Sequence, residues 1–171
     1  MRIMVKAIVA IVVTLMATGA YAYIARKIGD ESRDMSQRAN PVFAERAVVR
    51  IPDAKFLARV EVARSPADRE LGLSGRKALP KGAGMLFIFD QLDYHGIWMP
   101  KMRFSIDVIW IASGAVVDVT ESLPAPKPGE TYLPIFRPST PALLVLEVPA
   151  GTVAKQGVRK GQRVEIAFDG G

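Results

Sequence analysis

The 171-residue chain has no cysteine and a single histidine, His95. The missing cysteine removes thiol nucleophiles, disulfides and cysteine-bound zinc or iron–sulfur centres. The lone histidine removes any metal site that draws two imidazoles from one chain, and the clustered Asp/Asn/Gly spacing of a calcium loop is also lacking. No metal site is therefore expected. A Gly-rich phosphate loop, a Walker motif and a dinucleotide fingerprint are absent too, so no cofactor is expected. Gly72-Leu73-Ser74-Gly75 falls short of a G-x-S-x-G elbow, and a serine triad would have to recruit His95, which reads more simply as a partly exposed loop imidazole.

A strong charge bias is lacking as well. Lys and Arg number 23 against 17 acids, and the acids are spread throughout. The excess of +6 describes a mildly basic surface rather than a stripe that tracks phosphates, so no nucleic-acid partner is expected. With 50% hydrophobic residues, the length allows one globular domain with a proper core and a short appendage.

The appendage is N-terminal. Arg2 and Lys6 precede an uncharged stretch from Ala7 to Ala25, and Arg26 and Lys27 follow it. About 19 uncharged residues just suffice to span a bilayer, while the basic start, the apolar Ala7 to Met16 and the Ala20-Tyr21-Ala22 triplet suit a cleavable signal peptide. The stretch is apolar on every face, unlike an amphipathic core helix. Residues 1–28 thus read as a signal peptide or a membrane anchor. Residues 29–46 read as a polar tether, and 47–171 as the folded domain. The domain is expected in the cell envelope, periplasmic or secreted, or held to the membrane by an uncleaved N-terminal helix. The basic residues after the stretch outnumber those before it, which leaves the orientation open.

From Ala47 onward, short apolar runs alternate with glycine, proline and polar turns, the pattern of a mainly β domain with one or two short helices. In Lys55 to Val62, residues Phe56, Ala58, Val60 and Val62 share one face, which predicts a half-buried strand. Ser65-Pro66-Ala67-Asp68 predicts a helix with a capping box, ending near Gly72. Further strands are expected at 85–89, 97–99, 106–111, 115–120, 142–148 and 163–168, with Ser113-Gly114 as a tight hairpin turn. MLFIF and ALLVLEV are apolar on both faces, as in strands covered on two sides, and predict a compact barrel-like or strongly curved sheet. Six prolines between Glu121 and Pro141 forbid a regular ladder there. That segment is expected to lie extended over the surface, pinned by Tyr132, Leu133, Ile135 and Phe136.

Several motifs follow one another in order: Glu61; Glu70-Leu71-Gly72-Leu73 through Arg76; Leu79-Pro80; Gly84-Met85-Leu86-Phe87-Ile88-Phe89; Trp98-Met99; Ile106-Asp107; Leu146-Glu147-Val148-Pro149-Ala150-Gly151; and Gly161. In this the chain resembles the DUF192 family, across about 60–164. The resemblance implies a small, mainly β domain, often secreted or tethered through an N-terminal apolar segment, and implies no established reaction. Many relatives resemble Lys-Asn-Thr after Trp-Met and carry a proline before Leu-Asp. This chain has Pro100-Lys101-Met102 and Ser105 there, so no role of that Asn-Thr pair carries over.

Two carboxylates stand out among apolar neighbours. Asp107 alternates onto one face with Ile109 and Ile111 and needs a partner if buried; Arg76 is the natural candidate for a bidentate pair. Glu147 alternates with Leu143 and Val145, so it is either satisfied internally or lines a pocket. Glu61 shares its face with Arg59 and reads as solvated or surface-paired. Trp98-Met99, beside a Gly- and Pro-interrupted stretch, is the best place to seek a cavity. The ligand-binding candidates are thus Arg76, Trp98, Met99, Asp107 and Glu147. They favour a non-enzymatic binding module whose partner is an unknown small molecule or envelope protein. If Asp107 and Glu147 converged, a hydrolase or lyase would be the alternative. A structural accessory of an envelope complex is the third reading.

Overall fold

The computed structural model describes Phe43 and residues 45–169; the predicted apolar N-terminal segment and most of the predicted tether lie outside the described residues. Seven strands form one sheet: β1 (Arg46–Ile51), β2 (Phe56–Ala63), β3 (Ala83–Asp93), β4 (Ile106–Ala112), β5 (Ala115–Leu123), β6 (Ala142–Pro149) and β7 (Glu165–Phe168). Two short helices interrupt them, α1 (Pro66–Leu71) and α2 (Thr152–Gln156). The spatial order is β5-β4-β6-β3-β2-β1-β7. Only β2 and β3 run parallel, and α1 lies in the crossover between them.

The sheet does not close into the expected barrel. β5 and β7 are its edges, and they approach each other at one corner only. There Ala115 bridges Arg163, and Val116 and Val164 donate their N–H groups to the carbonyls of Gln162 and Gly114. β7 has four residues, too short to form a full ladder with β5.

Local chemistry explains most boundaries. At α1, Ser65 Oγ accepts the N–H of Asp68, and the Asp68 carboxylate accepts the N–H of Ser65, a closed capping box with Pro66 in the first turn. β4 and β5 are joined through Ser113 and Gly114, with φ of 49° and 71°, the mirror-image turn whose twist suits a hairpin. The run 97–99 forms only a single bridge, Ile97 with Phe136, because Pro100 follows and its neighbours turn away. In the proline-rich segment Tyr132 and Ile135 are exposed rather than anchoring. The chain is held there by Phe136, which packs against the core, and by the Asp118 carboxylate, which accepts the N–H and O–H of Ser139 at 2.6 and 2.7 Å.

Both faces of the central strands are covered, as the two-sided apolar runs require. On one face Val49, Val60, Leu86, Ile109, Leu146 and Val148 pack together, with Val153 of α2 closing the layer. On the other, Met85, Phe87, Val108, Trp110 and Val145 meet Leu73, Ile97, Met99 and Met102, which come from the loops after α1 and before β4. Gly84 has no room for a side chain, since a Cβ there would lie 2.9 Å from the Glu147 carbonyl oxygen and 3.1 Å from Val60. The backbones of β3 and β6 approach closely at this point.

Candidate functional site

The strand register decides which charged groups can meet. β4 and β6 pair Asp107 with Val148 and Val108 with Glu147. Because successive side chains alternate across a sheet, Asp107 and Glu147 project from opposite faces. The two carboxylates do not converge, and a paired acid–base mechanism has no geometry here.

Asp107 is fully buried and belongs to the face that α2 closes. Its Oδ1 accepts the N–H of Ser122 and its Oδ2 that of Val153, both at 2.8 Å. It therefore ties the end of β5 and the first turn of α2 to β4. Its partner is not Arg76, contrary to the sequence-based expectation. Arg76 is buried and forms a two-pronged pair with Glu61, Nη1 to Oε1 at 2.7 Å and Nη2 to Oε2 at 2.8 Å, while its guanidinium lies 5.7 Å over the ring of Phe43. The hydrogen bonds from Arg76 hold the Glu61 carboxyl below the usual carboxylate range, against the opposing effect of burial. Glu61 is thus an internal ion-pair partner rather than a surface acid. The parallel pairing of β2 and β3 turned it toward Arg76, a long-range relation that local sequence does not signal.

One row across the sheet carries the remaining acid. Glu61 pairs with Met85, Met85 with Glu147, and Glu147 with Val108, all on the same face. Glu61 has its arginine. Glu147 sits between Met85 and Val108, is only 5% exposed, and has no hydrogen bond or ion pair among the described residues. Desolvation pushes its carboxyl up to about 8, so at neutral pH it is largely protonated.

Glu147 forms part of the wall of a cleft of about 320 Å³. Phe87 and Phe89 of β3 line it, with Leu71 to Ser74 on one side and Gly96 to Pro100 on the other. Trp98 is half-exposed at its rim and also lines an adjoining cleft with Leu71, Ser74 and Lys101, whereas Met99 is buried. Arg69 of α1 reaches over the Phe89 ring at 5.1 Å, donating Nη1 to the carbonyl of Ile88 at 2.8 Å and to that of Arg64, and lying 3.7 Å from Asp90. The His95 ring stacks on that of Phe89, ring centroids 3.6 Å apart, and its Nε2 lies 2.8 Å from the Gln91 carbonyl oxygen.

The cleft brings Trp98, Met99 and Glu147 together and leaves out Arg76 and Asp107. Sequence reasoning missed Phe87, Phe89 and Arg69. The signal for the two phenylalanines was the two-sided apolar run of β3, which shows that both faces are covered without showing by what. Among the described residues no group of three or more His, Asp or Glu side chains could hold a metal ion.

The architecture is that of a small, mainly β domain with an apolar-walled cleft that has a buried acid, Glu147, in its wall. The chain belongs to the DUF192 family, described as Uncharacterized ACR, whose model matches residues 47–166. It is similar to a crystal structure of a candidate transcription regulator from Sinorhizobium meliloti 1021, with 31% identity and a TM-score of 0.63, over 74% of this chain and 96% of that one. It is also similar to a protein of unknown function from Novosphingobium aromaticivorans DSM 12444, with 25% identity and a TM-score of 0.61, over 70% of this chain and 83% of that one. No curated protein matches the chain.

Proposed function

We propose that this domain is a binding module, exported or tethered at the cell envelope, whose ligand seat is the cleft between α1 and the Trp98 segment. The observation that carries the reading is Glu147. Placing a carboxyl in an apolar layer without a partner costs several kcal/mol relative to a solvated one, and a fold that needed only packing would be served better by leucine. The polar group faces a cavity large enough for a small molecule, beside exposed Trp98, which is the arrangement of an apolar pocket with one orienting polar group. Asp107 and Arg76 then serve the fold, the first by holding α2 and the end of β5, the second by neutralising Glu61.

Export rests on the sequence alone, on the basic start and the uncharged stretch from Ala7 to Ala25. The regulator designation of the Sinorhizobium neighbour does not favour DNA reading here, since the described helices have six and five residues and offer no recognition helix for a major groove.

Native mass spectrometry of the protein purified from its own envelope tests the seat. A retained small-molecule mass is expected, lost in Glu147→Gln and in Trp98→Ala. A mass retained equally by both variants would place the ligand elsewhere. The mass of the mature N-terminus separates cleavage after Ala22 from an intact anchor.

A further inference from the structure

The two acids in the row across β2, β3, β6 and β4 share one face and differ in one respect. Arg76 supplies Glu61 with a positive partner, and nothing among the described residues supplies one to Glu147. The walls around Glu147 suit a cation. Phe87, Phe89 and Trp98 present aromatic surface, and a guanidinium already rests on one of these rings, that of Phe89. The charged side chains lining the cleft are Arg69, Glu70 and Glu147. Arg69 gives Nη1 to two main-chain carbonyls and lies near Asp90, and once Glu147 is ionised the two acids of the lining outnumber this one base.

Resting on the cleft being a ligand seat, we infer that its ligand is an organic ammonium ion: a small molecule with one protonated amine on an apolar body, the amine against Glu147 and the body beside Phe87 and Trp98. The cleft volume of about 320 Å³ lies at the small end of ligand sites, which keeps the body to about the size of one aromatic ring and a short chain. Seating the ammonium requires the carboxylate form. The protonated carboxyl gives its proton to solvent, and the ammonium keeps its own three and donates them to the carboxylate and the site. One proton is therefore released per ligand bound at neutral pH.

That stoichiometry gives a signature. Affinity rises with pH until Glu147 is ionised in the free protein, near pH 8, and levels off until the amine itself loses its proton. Other charged groups lie around the cleft. Glu61 is paired with Arg76, Arg69 lies 3.7 Å from Asp90, and Glu70 and Lys101 line the cleft or its neighbour. His95 is the one histidine of the chain and stacks on Phe89, and its substitution is therefore the control.

The test is titration of the full chain with phenethylammonium chloride, 2-phenylethanol and 3-phenylpropionate, followed by calorimetry and by Trp98 fluorescence, at pH 6 and pH 8. The inference predicts that the ammonium binds at least tenfold more tightly than the alcohol or the acid at pH 8. It also predicts at least tenfold weaker binding at pH 6 than at pH 8, with the same pH dependence in His95→Gln. Glu147→Gln abolishes both preferences, and Trp98→Ala, at an exposed position that does not threaten folding, weakens the ammonium about tenfold. If the alcohol binds as well as the ammonium, or better at pH 6, the cleft remains the seat and the ammonium assignment falls, because a neutral acid would then be donating to an acceptor. If none of the three probes binds, or all bind unchanged in both cleft variants, the ligand seat falls with it.

Discussion

Glu147→Gln turns the buried acid into a measurable stability effect. In the folded protein the carboxyl titrates near 8, against 4.5 when solvated. The folded state therefore holds this proton more tightly than the unfolded state. Its contribution to stability is fully present below about pH 4.5 and is lost progressively as pH rises to about 8. The gap corresponds to roughly 5 kcal/mol as an upper bound, since each tenfold change in proton affinity is about 1.4 kcal/mol and water entering the cleft would reduce it. Glutamine fills the same space without a titrating proton. The variant should match the natural protein near pH 5 and exceed it by several kcal/mol at pH 9, a Tm difference on the order of ten degrees for a domain of this size. Groups whose carboxyls are lowered do not interfere. Glu61 and Glu45 are lowered by bonds from Arg76 and Arg64, and Asp118, despite burial, by donors from Ser139 and Val119, so all three act below pH 4.5. Thermal melts of both proteins from pH 5 to pH 9 are the assay. Parallel curves across that range would refute the reasoning.

Other substitutions separate fold from site. Asp107→Ala leaves the N–H groups of Ser122 and Val153 without their acceptor and should cost about 2–4 kcal/mol in chemical denaturation, with no change in binding at the cleft beyond that loss of folded protein. Arg76→Ala should cost about 3 kcal/mol, and a double-mutant cycle with Glu61→Gln should recover a coupling of about 1–3 kcal/mol, since each removes the other's partner. Removing Arg76 should also release Glu61 toward its ordinary value, so that the variant loses less further stability than the natural protein as pH falls below about 4.5. Gly84→Ala should destabilise by about 1–3 kcal/mol, because its methyl group meets main chain at 2.9 Å that cannot swing aside.

Most strands were legible from their own residues, but β1 was missed although Ala47, Val49 and Ile51 alternate into the core. β2, β4, β5 and β6 fall within a residue or a few of the expected runs, and Ser65 with Asp68 announced α1 in full. α2 was not legible: it has five residues, begins at Gly151 with φ of 80°, and gains its order from Val153 in the core and the Asp107 carboxylate from a strand far off in sequence. The same distinction governs the site. Alternation showed that Asp107 and Glu147 each point into an apolar layer, yet whether they share a layer depends on how β4 and β6 align. The observed pairing of Val108 with Glu147 puts them on opposite sides. Arg76 was expected beside Asp107 because both are motif residues that need a partner, and the parallel β2–β3 pair gave it Glu61 instead. The cleft near Trp98 was anticipated from the glycine and proline around it. Glu147 was named as a residue that is satisfied internally or lines a pocket, and which of the two holds depends on which face of β6 the Trp98 segment covers.

A crystal structure of the protein purified from its own envelope, with no ligand added, tests the central claim most directly. The account predicts density for a small molecule in the cleft beside Phe87 and Trp98, with a nitrogen within hydrogen-bond distance of the Glu147 carboxylate. A cleft filled by the protein's own side chains, with Glu147 hydrogen-bonded to one of them, would contradict it.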